Sequence, residues 1–338
     1  MLHKTKFAAG VCALVAVLGV STPSARAVIV LGSSQANPGT NTGVPVDSNG
    51  NPYTAVSPSN GLSYDLNQFE GSFGTPISST VFLSAEHLNS NAIVGVTSAT
   101  FTFDNGTNTA TSYNVVYLGY QGDVDAWGIV PTVTYPTATF AIWAPVDITA
   151  NDAAIQNQNL VVLGNGTTRG TAITGGWDWG SSQTTESWGT NTVNQVVAGN
   201  VADGDSKDYI YFQFQKTVDG MGNITDPNEA ILSAGDSGGG VFVFDPTTQA
   251  YELDGVNSGV QEASTTPDGT PLEAALYDST GYYIGNTPVT GPLGSYASDL
   301  YDTSNFIETV VPEPATSSLV LVALMTLGGV CYRRRKYT

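Results

Sequence analysis

Residues 234–244 read AGDSGGGVFVF, a glycine-rich turn that runs directly into an apolar strand. Glycine adopts backbone conformations that other residues avoid, so such a turn can present the hydroxyl group of Ser237. Two backbone N–H groups of the turn can then converge on one oxygen atom, which is what stabilisation of an oxyanion requires. An ordinary hairpin loop is the alternative interpretation. The stretch therefore makes Ser237 a candidate nucleophile that needs support from other residues.

Short apolar or alternating runs recur along the rest of the chain, separated by Gly, Asn, Asp and Pro. The clearest runs are residues 100–103, 113–120, 160–163, 209–214 and 241–244. Runs of this length between turn residues are typical of β-strands. One amphipathic helix is evident, close to the end of the chain. The pattern predicts an all-β barrel or sandwich.

His87 closes a second apolar run, residues 81–88, which reads VFLSAEHL. The chain has two histidines, and His3 lies in a segment that is interpreted below as an export signal. His87 is then the one imidazole in the body of the protein. It is therefore the histidine that could serve as a general base near neutral pH.

These segments resemble the trypsin/chymotrypsin family of serine proteases. Residues 235–239, GDSGG, match the nucleophile turn of that family without a change. Residues 81–87 resemble the strand and turn before the family's base, with Glu86 in place of the usual alanine. Further segments follow in the family's order: residues 160–166, 253–259, 294–296 and 306–311. The resemblance implies an all-β, chymotrypsin-like double β-barrel with a short C-terminal helix.

The resemblance also implies roles for individual residues. Ser237 would attack the scissile carbonyl group, His87 would transfer the proton, and the N–H groups of Gly235 and Ser237 would form the oxyanion hole. The family's acid is an aspartate before a strand, and residues 122–130, GDVDAWGIV, fit best. Asp123 places the apolar residues of this segment at the expected positions and is preferred. Asp125 remains the alternative, because residues two apart in a strand share a face.

The substrate pocket is implied by the same resemblance. Ile231 would form its floor, Ser258 belongs to the strand that lines the cleft, Gly294 would form one wall, and Val260 or Gly259 would form the other. An isoleucine floor offers no charged partner to Lys or Arg. We therefore expect small or medium apolar residues before the scissile bond.

The charge of the body excludes one class of partner. Residues 28–311 hold 28 of the 29 acidic residues but only three of the ten basic ones, which gives a net charge of about −25. Nucleic-acid binding needs Lys and Arg for phosphate contacts, so we expect no nucleic-acid partner.

Cofactor chemistry is not indicated either. Cys12 and Cys331 are the only cysteines and both lie in the terminal segments, so the body has no disulfide and no cysteine metal site. The Asp-rich segments 203–208 and 219–229 lack a full Ca²⁺-loop signature. We expect no metal and no cofactor.

Both ends of the chain have the composition of targeting signals. Residues 1–27 combine two early lysines, an apolar run and the small-residue site Ala25-Arg26-Ala27, which is typical of a cleaved signal peptide. Residues 312–338 combine Pro312-Glu313-Pro314, an apolar stretch long enough for a marginal transmembrane helix, and the basic cluster RRRK. This order resembles the PEP-CTERM sorting tail, which an exosortase cuts.

The sequence thus predicts four segments: a signal peptide (1–27), an extended N-terminal arm (28–62), a protease domain (63–311) and a sorting tail (312–338). The interpretation is an exported serine endopeptidase that acts on protein or peptide substrates in the periplasm, at the cell surface or in the extracellular matrix. Two alternatives remain open: a catalytically silent relative that binds rather than cleaves, and a plain β-rich adhesin.

The natively expressed protein is predicted to lack both ends. Cleavage after Ala27 and removal of the basic cluster should give an intact mass well below that of the full chain. Mass spectrometry of the protein from its own host measures this. A steady-state species that still carries Arg333–Lys336 would show a permanent anchor instead of a sorting signal.

Overall fold

The computed structural model describes residues 28–32, 41, 45–47, 53–56, 63–65, 74–89, 92–95, 97–104, 110–130, 139–140, 143–182, 187–199, 207–263, 265–266 and 268–311. The predicted signal peptide, most of the N-terminal arm and the predicted sorting tail lie outside these residues. Within the described ranges, no helix has the length and apolar character needed to cross a membrane.

The secondary structure of the described residues is almost entirely β. The strands are β1 (Ile29–Val30), β2 (Thr54–Val56), β3 (Ser63–Asp65), β4 (Thr75–Pro76), β5 (Val81–Ala85), β6 (Thr97–Asp104), β7 (Ala110–Gln121), β8 (Val124–Ile129), β9 (Asn159–Gly164), β10 (Thr167–Ile173), β11 (Gly176–Ser182), β12 (Ser187–Thr192), β13 (Gln195–Val197), β14 (Tyr209–Gln213), β15 (Ala230–Ile231), β16 (Gly240–Asp245), β17 (Ala250–Val260), β18 (Ala274–Leu276), β19 (Tyr283–Ile284), β20 (Thr287–Pro288) and β21 (Gly294–Asp299). The helices are α1 (Asp152–Ile155), α2 (Ser304–Val310) and a 3-10 turn (Glu86–Leu88).

Two curled antiparallel sheets form the body of the molecule. The first has five strands in the order β4-β5-β8-β7-β6, and the second has seven in the order β12-β9-β16-β17-β21-β14-β13. Continuous apolar runs occupy central strands of the second sheet, such as LVVL in β9 and VFV in β16, and these residues are buried. The all-β, chymotrypsin-like fold with a short C-terminal helix is therefore confirmed.

One hydrophobic cluster joins the two sheets. It contains Leu83 from β5, Val161 from β9 and Phe242 from β16, all of them fully buried. Ile307 on α2 packs into the same cluster, so the C-terminal helix closes the core. Burying a side chain of this size contributes about 1.5–3 kcal/mol. The cluster therefore fixes the ends of β5, β16 and β17 relative to each other.

A short N-terminal pairing supports the segment that leads to the turn of Ser237. Ile29 and Val30 of β1 pair with Ile231 and Ala230 of β15. Both residues of β1 are buried, and the guanidinium of Arg169 donates to the carbonyl oxygen of Leu31 at 2.6 Å. The chain before Ser237 is consequently part of a packed pair of strands.

Buried carboxyl groups are a second feature of the fold. Glu229 lies next to β15, and its carboxyl group accepts from the backbone N–H of Gln215 at 3.0 Å. Burial raises the pKa of Glu229 to about 8, and the nearby charge of Asp226 acts in the same direction. Burial likewise raises the pKa of Asp299 to about 7. These groups bind protons more tightly in the folded chain than in the unfolded chain.

The free energy of unfolding is predicted to fall as pH rises. A group whose pKa is raised in the folded state gives its full contribution below its unfolded value of 4.5 and loses it as pH passes about 8. Glu229→Gln should flatten this decline and raise the melting temperature at alkaline pH. Denaturation curves across this range measure it, with Glu308→Gln on the exposed face of α2 as the control. Equal pH profiles for Glu229→Gln and wild type would contradict the prediction.

Candidate active site

Strand pairing brings Asp123 to His87. Ala85, the last residue of β5, pairs with Val124, the first residue of β8. The chain then enters the 3-10 turn, where the N–H of Glu86 donates to the carbonyl oxygen of Asp123 at 3.1 Å. Asp123 precedes β8 by one residue and His87 follows β5 by two. Both side chains therefore leave the same end of the sheet.

The carboxylate of Asp123 holds His87 through backbone and ring. Oδ1 of Asp123 lies 2.9 Å from the backbone nitrogen of His87 and 2.8 Å from its Nδ1, and Oδ2 lies 2.9 Å from Nδ1. Ser258 on β17 donates its hydroxyl to Oδ2. Asp123 is only 4% exposed, so these donors compensate for its burial. A carboxylate at Nδ1 favours the tautomer that carries the proton on Nδ1 and leaves Nε2 free to accept.

The other ring nitrogen of His87 faces Ser237. Nε2 lies 2.8 Å from Oγ of Ser237, within the range of a hydrogen bond. The side chain of His87 is 31% exposed while its aspartate partner is buried. A continuous series of contacts therefore runs from Ser258 through Asp123 and His87 to Ser237, and it ends at the solvent-accessible side. This arrangement can remove a proton from the serine hydroxyl.

The turn that carries Ser237 is tied to β17. The N–H of Gly238 donates to the carbonyl oxygen of Asn257 at 2.9 Å, and the N–H of Asn257 donates to that of Gly239 at 2.8 Å. The buried side-chain amide of Asn257 donates to the carbonyl oxygens of Leu163 and Asp236. Asn257 thus fixes the turn on both sides of the serine.

Gly235 gives the turn its conformation. Its φ of +96° lies in the region that side chains with a Cβ rarely adopt. Among the described residues, the N–H groups of Gly235 and Ser237 have no hydrogen-bond acceptor, whereas the N–H of Asp236 donates to Ser233. These two N–H groups, which the resemblance assigns to an oxyanion hole, can therefore donate to an oxygen atom of a bound molecule.

Asp236 anchors the same turn from inside. Its Oδ1 accepts from the N–H of Gly166 at 2.7 Å, and its Oδ2 accepts from the N–H and the hydroxyl of Ser233 at 2.7 and 3.0 Å. Burial raises the pKa of Asp236 to about 6, although these hydrogen bonds favour the ionised form. The carboxyl group connects the turn to the start of β10.

Asp125, the alternative acid, is placed elsewhere. Its Oδ2 accepts from Nε1 of Trp127 at 2.9 Å and from Nδ2 of Asn89 at 3.1 Å. It is fully buried, and burial raises its pKa to about 7. The carboxylate in contact with the His87 ring is that of Asp123.

The four residues that the resemblance assigns to the substrate pocket lie in different surroundings. Ile231 is 1% exposed and packs with Ile29, Leu31 and Phe214 in a buried cluster. Val260 packs against a different buried cluster, the one that contains Phe212. Gly294 is buried beside the ring of Tyr211, and Ser258 contacts Asp123.

Three contributors to the site could not be assigned from the sequence. Ser258 was expected on the strand that lines the cleft, but its hydrogen bond to Asp123 was not expected. Asn257 and Ser233 carry no motif that marks their bonds to the turn. The partner of Ser258 is 135 residues away in the chain and one partner of Asn257 is 94 residues away, whereas Ser233 contacts Asp236, which is close to it in the chain. Within the described ranges, no group of three or more His, Cys, Asp or Glu side chains is arranged to hold a metal ion.

Comparisons with known proteins give limited similarity. No family model matches the chain, and no curated protein matches it. Among solved structures, the passenger domain of Plasmid encoded toxin, an autotransporter enterotoxin from enteroaggregative Escherichia coli, matches with a TM-score of 0.36 and 14% identity over 73% of this chain and 23% of that chain. Rv3671c from Mycobacterium tuberculosis H37Rv, in an inactive serine-to-alanine form, matches with a TM-score of 0.36 and 14% identity over 79% of this chain and 97% of that one. Likeness at this level carries no argument about activity.

Gly235→Ala is predicted to destabilise the turn. A side chain at φ +96° costs about 1–3 kcal/mol, and the added Cβ would lie 3.2 Å from Cα of Gly166. Urea denaturation should show a loss of this order in the free energy of unfolding. Gly220→Ala is the matched control, because Gly220 has an ordinary backbone and no described atom within 4 Å of an added Cβ. Equal losses for the two variants would contradict the role of Gly235.

Proposed function

We propose that this chain is a serine endopeptidase that hydrolyses peptide bonds with Ser237 as nucleophile, His87 as base and Asp123 as acid. The observation that carries the proposal is the series of hydrogen bonds from Asp123 through both ring nitrogens of His87 to Ser237. Nucleophile, base and orienting group in this geometry are the requirements for activation of a serine hydroxyl.

In the proposed reaction, Oγ of Ser237 attacks the scissile carbonyl carbon while Nε2 of His87 accepts the hydroxyl proton. Asp123 keeps the imidazole in the required tautomer and stabilises the imidazolium that forms. The N–H groups of Gly235 and Ser237 donate to the oxyanion, and one such donor contributes about 2.7–4 kcal/mol. His87 then protonates the leaving amine, the amine departs, and water releases the acyl group by the same steps.

A free strand edge beside the site suits an extended peptide. β21 pairs with one edge of β17 as far as Val260, whereas β16 pairs with the other edge only as far as Val256. In the described part of the chain, no strand pairs with residues 258–260 on that second edge. A substrate can add there as a further antiparallel strand, with main-chain hydrogen bonds that do not depend on its sequence. This supports a protein or peptide substrate.

The setting of the proposed enzyme follows from the terminal segments of the sequence. We propose export through the inner membrane by the signal peptide, and processing of the tail by exosortase-type machinery. The enzyme would then act in the periplasm, at the cell surface or in the extracellular matrix. The acidic body, with few basic residues, is compatible with solubility in such a setting.

A fluorophosphonate probe tests the nucleophile. The purified mature protein should be labelled at Ser237, as located by peptide mass spectrometry, and Ser237→Ala and His87→Ala should not be labelled. A folded protein, judged by circular dichroism, that takes up no label and cleaves no peptide would instead favour the silent, binding relative.

The two neighbouring aspartates provide a matched test of the acid. Asp123→Asn is predicted to keep the fold but lower turnover by about 10⁴, because the amide favours the wrong tautomer of His87. Asp125→Asn should retain turnover within about tenfold, because Asp125 contacts Trp127 and Asn89 and not the imidazole. Steady-state kinetics on a peptide substrate measure both. Loss of turnover in Asp125→Asn alone would assign the acid to Asp125.

A further inference from the structure

The sheet face next to Ser258 carries two tyrosine rings. Gly259 of β17 pairs with Tyr296 of β21, and Tyr296 pairs with Tyr211 of β14. Directly paired residues of antiparallel strands project to the same face. The ring centroids of Tyr211 and Tyr296 are 5.0 Å apart. An aromatic surface therefore begins one residue beyond the serine that contacts Asp123.

The hydroxyl end of Tyr211 closes this surface on one side. A Cβ built at Gly294 would overlap the ring and hydroxyl of Tyr211, so the ring occupies the space of the missing side chain. Nε2 of Gln213 donates to the Tyr211 hydroxyl at 3.3 Å, and the hydroxyl donates to Oε1 of Gln261 at 3.3 Å. The N–H of Gln261 donates to the carbonyl oxygen of Gly294 at 2.8 Å, which keeps the three strands together.

The space over Gly259 is open on the same face. Gly259 has an ordinary backbone conformation, and no described atom lies within 4 Å of a Cβ built there. Gly259 also lies on the part of β17 whose second edge is unpaired. A side chain of a peptide bound along that edge can therefore enter the space between Gly259 and the two rings. We call this space, with Tyr211, Gln213, Gly259, Gln261, Gly294 and Tyr296, the tyrosine shelf.

We propose that the tyrosine shelf is a specificity subsite for one side chain flanking the scissile bond, and that it selects short, uncharged side chains. This inference rests on the proposed function and adds the substrate class. Tyr211 sets the size limit, because its ring already fills the space over Gly294. The residues of the shelf carry no charge at neutral pH, so they offer no ionic partner to a charged substrate side chain.

The phenols of the shelf are neutral at neutral pH because the ordinary pKa of tyrosine is about 10. Burial raises the pKa of Tyr211, and burial and the neighbouring Tyr211 raise the pKa of Tyr296. Both phenols therefore remain protonated and act as hydrogen-bonding groups. The size preference agrees with the sequence-based expectation of small residues, but its source is Tyr211 rather than Ile231.

The first test blocks the shelf. Gly259→Leu places a side chain into open space, so we expect the variant to fold. The leucine side chain should fill the tyrosine shelf. We expect its kcat/KM for peptides to fall at least about tenfold more than its hydrolysis of p-nitrophenyl acetate, which has no such side chain. Gly220→Leu, at a distant glycine with equally open surroundings, is the control and should leave this ratio at the wild-type value. An unchanged ratio in Gly259→Leu would overturn the proposal.

The second test enlarges the shelf. In a positional peptide library, wild type should prefer Ala or Ser over Phe, Leu, Lys and Glu at one position by about tenfold or more. Tyr211→Ala should reduce the preference against Phe and Leu at that position, while Tyr301→Ala, at an exposed tyrosine, should not. A wild-type preference for bulky or charged residues, or an unchanged Tyr211→Ala profile, would overturn the subsite with the protease function intact. Loss of both ester hydrolysis and fluorophosphonate labelling in wild type would instead overturn the function, and the subsite with it.

Discussion

The carboxylate of Asp123 accepts hydrogen bonds from residues of both main sheets. The five-stranded sheet supplies Asp123 and the donors of His87, and the seven-stranded sheet supplies the hydroxyl of Ser258. A buried carboxylate is costly unless donors surround it, and here the donors come from both halves of the molecule. The orientation of the imidazole therefore depends on correct packing of the sheets. Any shift of β17 against β5 would remove one donor and misalign the ring.

β17 contributes two adjacent residues to the same site. Ser258 contacts the acid, while the adjacent Asn257 holds the turn of Ser237 through its backbone and its side-chain amide. His87 and Ser237 are consequently both positioned from one strand, although they lie 150 residues apart. Residues of β5 and β16 pack against β17 in the large hydrophobic cluster, which contains Leu253 and Val256 of this strand. The relative positions of His87 and Ser237 therefore depend on the packed core as well as on the loops.

The interior of this acidic chain contains carboxyl groups with elevated proton affinity. Burial raises the pKa of Asp125, Asp236 and Glu229, each with few or no cationic neighbours, because the body has only three basic residues. The carboxylate of Asp123 has other neighbours: the imidazole and backbone N–H of His87 and the hydroxyl of Ser258. Two aspartates only two residues apart therefore have different environments: Asp125 is bonded to an indole and an amide, and Asp123 to the histidine.

The sequence by itself determined the all-β class, and it singled out the glycine-rich turn of Ser237 and His87, because these depend on local composition, on a contiguous motif and on a count of histidines. It favoured Asp123 but left Asp125 open, since residues two apart on a strand share a face. The tertiary structure separated them through the pairing of Ala85 with Val124, which places Asp123 just outside the strand beside the turn of His87. The contact between Tyr211 and Tyr296 was beyond the sequence for the same reason. Ile231 is buried with the residues of β1, and the two tyrosine rings meet only through the pairing of β14 with β21. Local patterns fix strands and turns, but strand pairing over long sequence separations decides which side chains meet.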